Sequence, residues 1–255
     1  MSKILLLNSK QVKSARKHPA LIGKKLIASG MFSGVYEGST ADTVLKLTIC
    51  PATYAMLTDP RFVGNPHAPK LIKDYGQVGE FMTGTNIIET KLTKPVQRLV
   101  PMYLIEIERL HKTANSAAKK VAALVTRATR TAILSTVEGE SCRDNQSKAL
   151  RQLATESKLI GGIESYAQYF ECLISFVQDN QNAFFDMHQA NTMMRKDGTV
   201  VFADPIGSND IYETQGIFAG LPTNDVNWSE VKRDHQERFG HLVGLKKIKE
   251  VPNNV

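Results

Sequence analysis

Asp186, Asn191 and Asp204 are the residues whose types and spacing could do chemistry. Asn191 follows Asp186 by five positions and Asp204 follows Asn191 by thirteen, inside the stretch FFDMHQANTMMRKDGTVVFADPIG that runs from Phe184 to Gly207. Between them stand an apolar pair, Met193-Met194, a Lys196-Asp197-Gly198 turn and an apolar run from Val200 to Ala203. That order predicts a loop, a strand, a tight turn and a second strand ending on a carboxylate. A hairpin of this kind brings the Asp186–Asn191 loop and Asp204 to the same end. Three converging oxygen donors suit a hard divalent cation, magnesium foremost, which shares its shell with phosphate oxygens. Taken singly, Asp, Asn and Gly are ordinary turn residues, so the signal lies in their order and separation.

A second set stands early in the chain, in KLIASGMFSGVYEGSTADTVLKLT from Lys25 to Thr48. Leu26-Ile27 opens a strand, Gly30 to Gly34 is a flexible turn, Val35-Tyr36 starts a second strand, and Val44 to Leu47 is a third. Backbone N–H groups of a hairpin bearing Gly30, Ser33 and Gly34 can lie against phosphates, because glycine permits close approach, and Phe32 at the tip would shield them from water. Lys46, flanked by Val44, Leu45 and Leu47, is either an edge residue facing water or a charge aimed into a cleft. A lysine is almost never buried without a partner, and a nucleotide phosphate would supply one.

Asp, four residues, Asn, a hairpin and then Asp is also the arrangement that kinases use for base, metal ligand and second metal ligand. A glycine turn, Val35 and a Val-x-Lys strand precede it in the kinase order. On these residues the chain resembles the protein-kinase-like superfamily. Phe184-Phe185-Asp186 replaces the usual H-R-D lead, His188 stands two residues after the Asp, and Asp204-Pro205-Ile206 replaces D-F-G. A D-x-H-x-x-N loop looks like the atypical branches: aminoglycoside phosphotransferases, lipopolysaccharide and RIO-type kinases, and above all the early serine/threonine protein kinases of T-odd bacteriophages. The resemblance implies Asp186 as catalytic base, Asn191 and Asp204 as magnesium ligands, and Lys46 as the contact to the α- and β-phosphates of ATP. It casts Gly30, Phe32, Ser33 and Gly34 over the phosphates and Val35 over the adenine. Backbone groups near Glu89 and Lys91, in the passage Ile87 to Leu92, would bind the adenine edge. His188 would hydrogen-bond the γ-phosphate or Asp186, unless it is a packed structural histidine.

The surrounding elements must hold these groups. At 255 residues the chain is long enough for one large domain or two lobes. The resemblance implies an α+β, bilobal kinase-like fold: an antiparallel-sheet lobe over residues 1–94 and a mainly helical, reduced lobe over 95–255. Within the first, Gln11 to Arg16 reads as a short amphipathic piece and Thr53 to Thr58 as a helix. Leu71 to Val78 and Gly84 to Thr90 read as strands around a Gly79-Glu80 turn, with Lys94-Pro95 as the lobe boundary. Within the second, Tyr103 to Lys112, Asn115 to Leu134, Gln146 to Leu159 and Ser165 to Gln178 carry helical periodicity, and Asn224 to Phe239 is one more candidate helix. No Glu occurs between Glu37 and Glu80, so the helix carboxylate that orients the lysine in most kinases is missing, and Asp59 or Glu80 would have to substitute. No A-P-E motif follows Gly207.

Bulk properties exclude several classes. Apolar runs are far short of a membrane span, which predicts a soluble, cytoplasmic protein with no membrane partner. Three scattered cysteines, Cys50, Cys142 and Cys172, fit neither a disulfide framework nor a zinc site. A net charge of +7 favours polyanions. No base-stacking aromatic pattern accompanies the basic residues, so sequence-specific nucleic-acid binding is not expected. From the resemblance come ATP and Mg2+ as cofactors and host proteins, with RNA polymerase a candidate, as substrates in the bacterial cytoplasm. Two alternatives stand beside the protein kinase: a pseudokinase that binds a host partner without phosphoryl transfer, and an aminoglycoside-type small-molecule phosphotransferase.

Overall fold

The computed structural model describes residues 7–82, 99–136, 141–155 and 163–208. Helix α1 (Lys10–Ala15) is capped by the Ser9 hydroxyl, which accepts from the Val12 N–H. Strands β1 (Leu26–Ser29), β2 (Ser33–Glu37) and β3 (Thr43–Thr48) follow, then helix α2 (Pro51–Thr58), whose first residue is a proline with φ preset for a helix start. Strands β4 (Leu71–Met82) and β5 (Leu99–Glu108) complete a five-stranded sheet in the order β1-β2-β3-β5-β4, with every neighbour antiparallel.

The two faces of this sheet have different work. Tyr36, Leu45, Leu47, Met102 and Leu104 point to one side, where Val12, Ala15 and Leu21 from the start of the chain cover them. Val44, Ile105 and Ile107 point to the other side and join the large core shared with the helices. Alternation along a strand therefore places Lys46 on the helix-facing side, together with its cross-strand neighbours Val35 and Ile105. Thus α1 packs against the face away from Lys46.

A two-residue strand β6 (His111–Lys112) leads into α3 (Ser116–Ser135), capped by the Asn115 side chain, then α4 (Cys142–Thr155) and α5 (Ile163–Asp179). α3 packs on α4 and α4 on α5. Tyr166, Tyr169, Phe170, Leu173, Ile174 and Val177 of α5 are all buried, each contributing on the order of 1.5–3 kcal/mol relative to exposure. Beyond α5 come β7 (Ala183–Phe185), β8 (Thr192–Met194), β9 (Val200–Phe202) and β10 (Ile206–Ser208). The fold is α+β, with an antiparallel sheet first and helices after it.

Several expectations hold: β1 to β3, α2, α3, α5 and the hairpin β8–β9 fall where the pattern puts them. Others are corrected. The stretch Tyr103 to Lys112 is strand, not helix. β5 lies between β3 and β4, and its run Leu99 to Ile105 is apolar on both faces, a pattern that periodicity does not distinguish from a buried helix; Glu106 and Glu108 alternate with Ile105 and Ile107 only at its end. No turn breaks the chain at Gly79-Glu80, since β4 continues to Met82, absorbing irregularities of register near Asp74 and Gln77; Gly76 there has a φ of +71°, open to glycine. The sheet also takes a strand from beyond Lys94, and its link to the helices follows Glu108. Glu89, Lys91, the Lys94-Pro95 boundary and Asn224 to Phe239 lie outside the described residues.

Candidate active site

Two strand pairings assemble the site. In the hairpin, Thr192 pairs with Phe202, and the Ala203 N–H donates to the Asn191 carbonyl at 2.8 Å. Gly198 closes the turn at φ +91°. In the second pairing, antiparallel β7 and β10 set Phe185 opposite Ile206 and Phe184 opposite Gly207, and the Asp186 N–H donates to the Pro205 carbonyl at 2.7 Å. Asp186, Asn191 and Asp204 are thereby drawn to one end of the two ladders, as their spacing predicts.

Gly207 must be glycine for this pairing. A Cβ on it would lie 2.2 Å from Phe184 Cζ, closer than any packed carbon pair tolerates. The hairpin is held from behind by His67, whose Nδ1 is 2.8 Å from the Val200 carbonyl and whose Nε2 is 2.9 Å from Ser165 Oγ on α5. His67 stacks on Tyr166 at 3.8 Å, and burial holds its pKa below the ordinary histidine value. Arg195 adds a second tie, with its guanidinium bidentate on Glu108 at 2.8 and 2.7 Å and on the carbonyls of Pro66 and Ala68. The hairpin is thus bolted to the end of β5 by charge-assisted bonds.

The carboxylates are differently placed. The Asn191 amide N–H donates to the Asp186 carbonyl at 2.8 Å and to Asp186 Oδ2 at 3.3 Å. His188 caps the short 3-10 turn Gln189–Asn191 by accepting the Ala190 N–H on Nδ1, which leaves Nε2 facing Asp186 Oδ1 at 3.6 Å. Burial pushes the Asp186 pKa up; His188 opposes that, Asp204 adds to it, and the Asn191 hydrogen bond opposes it. From α3, the Thr129 hydroxyl donates to the Met187 carbonyl at 3.1 Å and so fixes the loop after Asp186.

Lys46 is 4% exposed and lies in the same place. Its ammonium group sits 3.0 Å from Asp204 Oδ1. Neither substitute expected from the sequence reaches it: Asp59 caps the 3-10 turn that follows it and pairs with Arg61 at 2.7 Å, and Glu80 is exposed on β4. Helix α2 contributes a hydroxyl in place of a carboxylate. Thr53 Oγ1 is 3.0 Å from Asp204 Oδ1 and 3.1 Å from the Ile206 carbonyl. Sequence reasoning missed Thr53, Arg195 and Glu108; nothing in a lone threonine or an Arg-Glu pair 87 residues apart announces the contact.

The glycine turn is more ordered than expected. Ser33 and Gly34 belong to β2, and the Gly30 N–H donates to the Ser33 carbonyl at 2.9 Å. Phe32 packs against both cores, and its carbonyl accepts from the Ile49 N–H at 3.0 Å. Val35 is the partner of Lys46 across the ladder.

The donor set fits a hard cation. Among the described residues no three His, Cys, Asp or Glu side chains form a cage of their own. Asp204 Oδ2 and Asn191 Oδ1 carry no hydrogen bond among the described residues, because Oδ1 of the first and Nδ2 of the second take the partners. Two protein oxygens completed by phosphates and water is the coordination magnesium favours. Among the described residues, no helix is long and apolar enough to cross a membrane.

Comparison with known proteins adds little to this geometry. No family model matches the chain, and no curated protein does. Among solved structures, an aminoglycoside phosphotransferase from Streptomyces rimosus aligns over 94% of this chain and 93% of its own at 10% identity, with a TM-score of 0.28. A likeness at that level carries no weight for function.

Proposed function

We propose that this chain is an ATP-dependent phosphotransferase and, within that class, a serine/threonine protein kinase of the bacteriophage type that modifies host proteins, the transcription machinery among them. One observation carries the reading: a buried lysine from the sheet meets an aspartate from the second half of the chain, beside a second carboxylate and an amide. Structural ion pairs are common, but a buried ammonium aimed at a cluster of acidic oxygens is the arrangement that phosphoryl transfer needs. That reaction depends on positioning and charge neutralisation more than on covalent chemistry.

In the proposed reaction Asp186 accepts a hydrogen bond from the acceptor hydroxyl and takes its proton as the oxygen attacks the γ-phosphorus, while the bond from that phosphorus to the β,γ-bridging oxygen breaks and ADP leaves. His188, held by Ala190, keeps the Asp186 carboxylate turned toward that hydroxyl. Lys46 binds the α- and β-phosphates, and Gly30, Phe32, Ser33, Gly34 and Val35 close over the nucleotide. Asn191 and Asp204 would hold magnesium, which when bound neutralises phosphate charge. The serine/threonine and phage assignments rest on the Asp186 to Asn191 loop and the Asp204-Pro205 turn.

The test compares wild type with Asp186→Asn, using labelled ATP, magnesium and a bacterial lysate. Label in protein bands from wild type alone is expected, with nucleotide binding retained by the variant. Label confined to small molecules would replace the protein kinase by an aminoglycoside-type enzyme. Absence of label from wild type that still binds nucleotide would favour the partner-binding alternative, to which the missing helix Glu already lends support.

A further inference from the structure

Asp204 has two oxygens with unequal duties. Oδ1 receives both the Lys46 ammonium and the Thr53 hydroxyl, each at 3.0 Å, while Oδ2 has no hydrogen-bond partner among the described residues. Thr53 is 2% exposed, and its hydroxyl has a single proton to divide between Asp204 Oδ1 and the Ile206 carbonyl. It thereby grips the Asp204-Pro205-Ile206 turn at both ends, and α2 packs along β10 just beyond.

We infer that Thr53 is a positioning residue: from helix α2 it fixes the rotamer of Asp204 so that Oδ2 is presented to a magnesium ion, and its contact is with the aspartate and not with the lysine. This deepens the phosphotransferase reading and rests on it. The logic is one of exchange. When nucleotide binds, Lys46 turns to the phosphates and leaves Oδ1, and among the described residues Thr53 is then the one side chain still holding that oxygen. Without the hydroxyl, Asp204 is free to rotate away at the moment its charge is needed.

The experiment titrates magnesium against binding of a non-hydrolysable ATP analogue, in wild type, Thr53→Val and Thr53→Ser, with analogue affinity also measured in chelator. Thr53→Val keeps shape and loses the hydrogen bond. A hydrogen bond to a charged group corresponds to a loss of about 10- to 100-fold. The half-saturating magnesium concentration should rise by that factor, metal-free affinity should stay unchanged, and Thr53→Ser should restore the wild-type value. Thr53→Cys, with a weakly donating thiol of similar size, is measured alongside so that the comparison survives poor folding of the valine variant, and it should show a rise as well. An unmoved magnesium midpoint in the Val and Cys variants would overturn the positioning role, as would failure of Ser to restore it. Wild type that binds the analogue with no response to magnesium would instead overturn the phosphotransferase reading, and this role with it.

Discussion

Replacing Asp204 with Asn removes the counter-charge of a buried ammonium while keeping the shape of the side chain and an oxygen for Thr53. The Lys46 side chain is 5% exposed, that of Asp204 35%, and they meet at 3.0 Å. At an effective dielectric of about 20, charges at that distance attract by roughly 5 kcal/mol. Because a third of the carboxylate faces water, screening reduces this, and stranding the lysine should cost about 2–4 kcal/mol. Lys46→Met should cost far less, on the order of 1 kcal/mol or under, because it leaves behind a partly hydrated carboxylate that still has Thr53. The double variant should recover most of the loss. Urea unfolding of the four proteins closes the cycle, provided the slope with denaturant is constant. A second readout ties the pair to nucleotide: in metal-free buffer, ATP should raise the melting temperature of Asp204→Asn more than that of wild type, since wild type must first surrender its ion pair. If Asp204→Asn unfolds within about 0.5 kcal/mol of wild type, the lysine has another partner and this reasoning fails.

Two further expectations concern the scaffold. His67 is kept neutral by burial, so its folded pKa lies below the unfolded value of about 6.5; its stabilisation is complete above about pH 6.5 and is lost as pH falls through the folded pKa. Urea midpoints at pH 7.5 and 5 should diverge in wild type and converge in His67→Phe, and equal pH slopes would refute it. Gly207→Ala, which drives a Cβ into Phe184, should cost about 1–3 kcal/mol, with part recovered in Gly207→Ala/Phe184→Leu; a melting temperature unchanged by Gly207→Ala would contradict the tight pairing of β7 and β10.

How much of this was legible in the sequence depended on the range of the interaction. The hairpin β8–β9 was readable because turn residues and alternation act within a few positions, and its register alone brings Asn191 beside Ala203. α3 and α5 were readable because each has one wet face and one dry. β5 was not, since its run Leu99 to Ile105 is apolar on both faces and alternation begins only at Ile105 to Glu108. The turn expected at Gly79-Glu80 failed for a related reason: glycine marks a bulge as readily as a turn, and Gly79 lies just after one of β4's register shifts. Buried polar contacts were least legible. Glu106 accepts from the Ser39 N–H, Ser39 Oγ and Thr43 Oγ1, each at 2.6 Å, but no local pattern marks a glutamate that closes a turn 67 residues away.

The absence of a helix carboxylate beside Lys46 need not empty a site of the proposed kind. A buried lysine needs a negative partner, and in this chain that partner is the aspartate proposed to hold the metal. Each charge neutralises the other at 3.0 Å, and in the proposed reaction both would lose that partner together as phosphates and cation enter. In that exchange Lys46, 5% exposed, would lose little hydration, whereas Asp204, 35% exposed, would give up part of its water to the cation. A glutamate on α2 would hold the lysine throughout this exchange, whereas a threonine there can hold only the aspartate. In the proposed reaction the chain would thus keep its orienting contact on the carboxylate, and the lysine would be free to follow the phosphates.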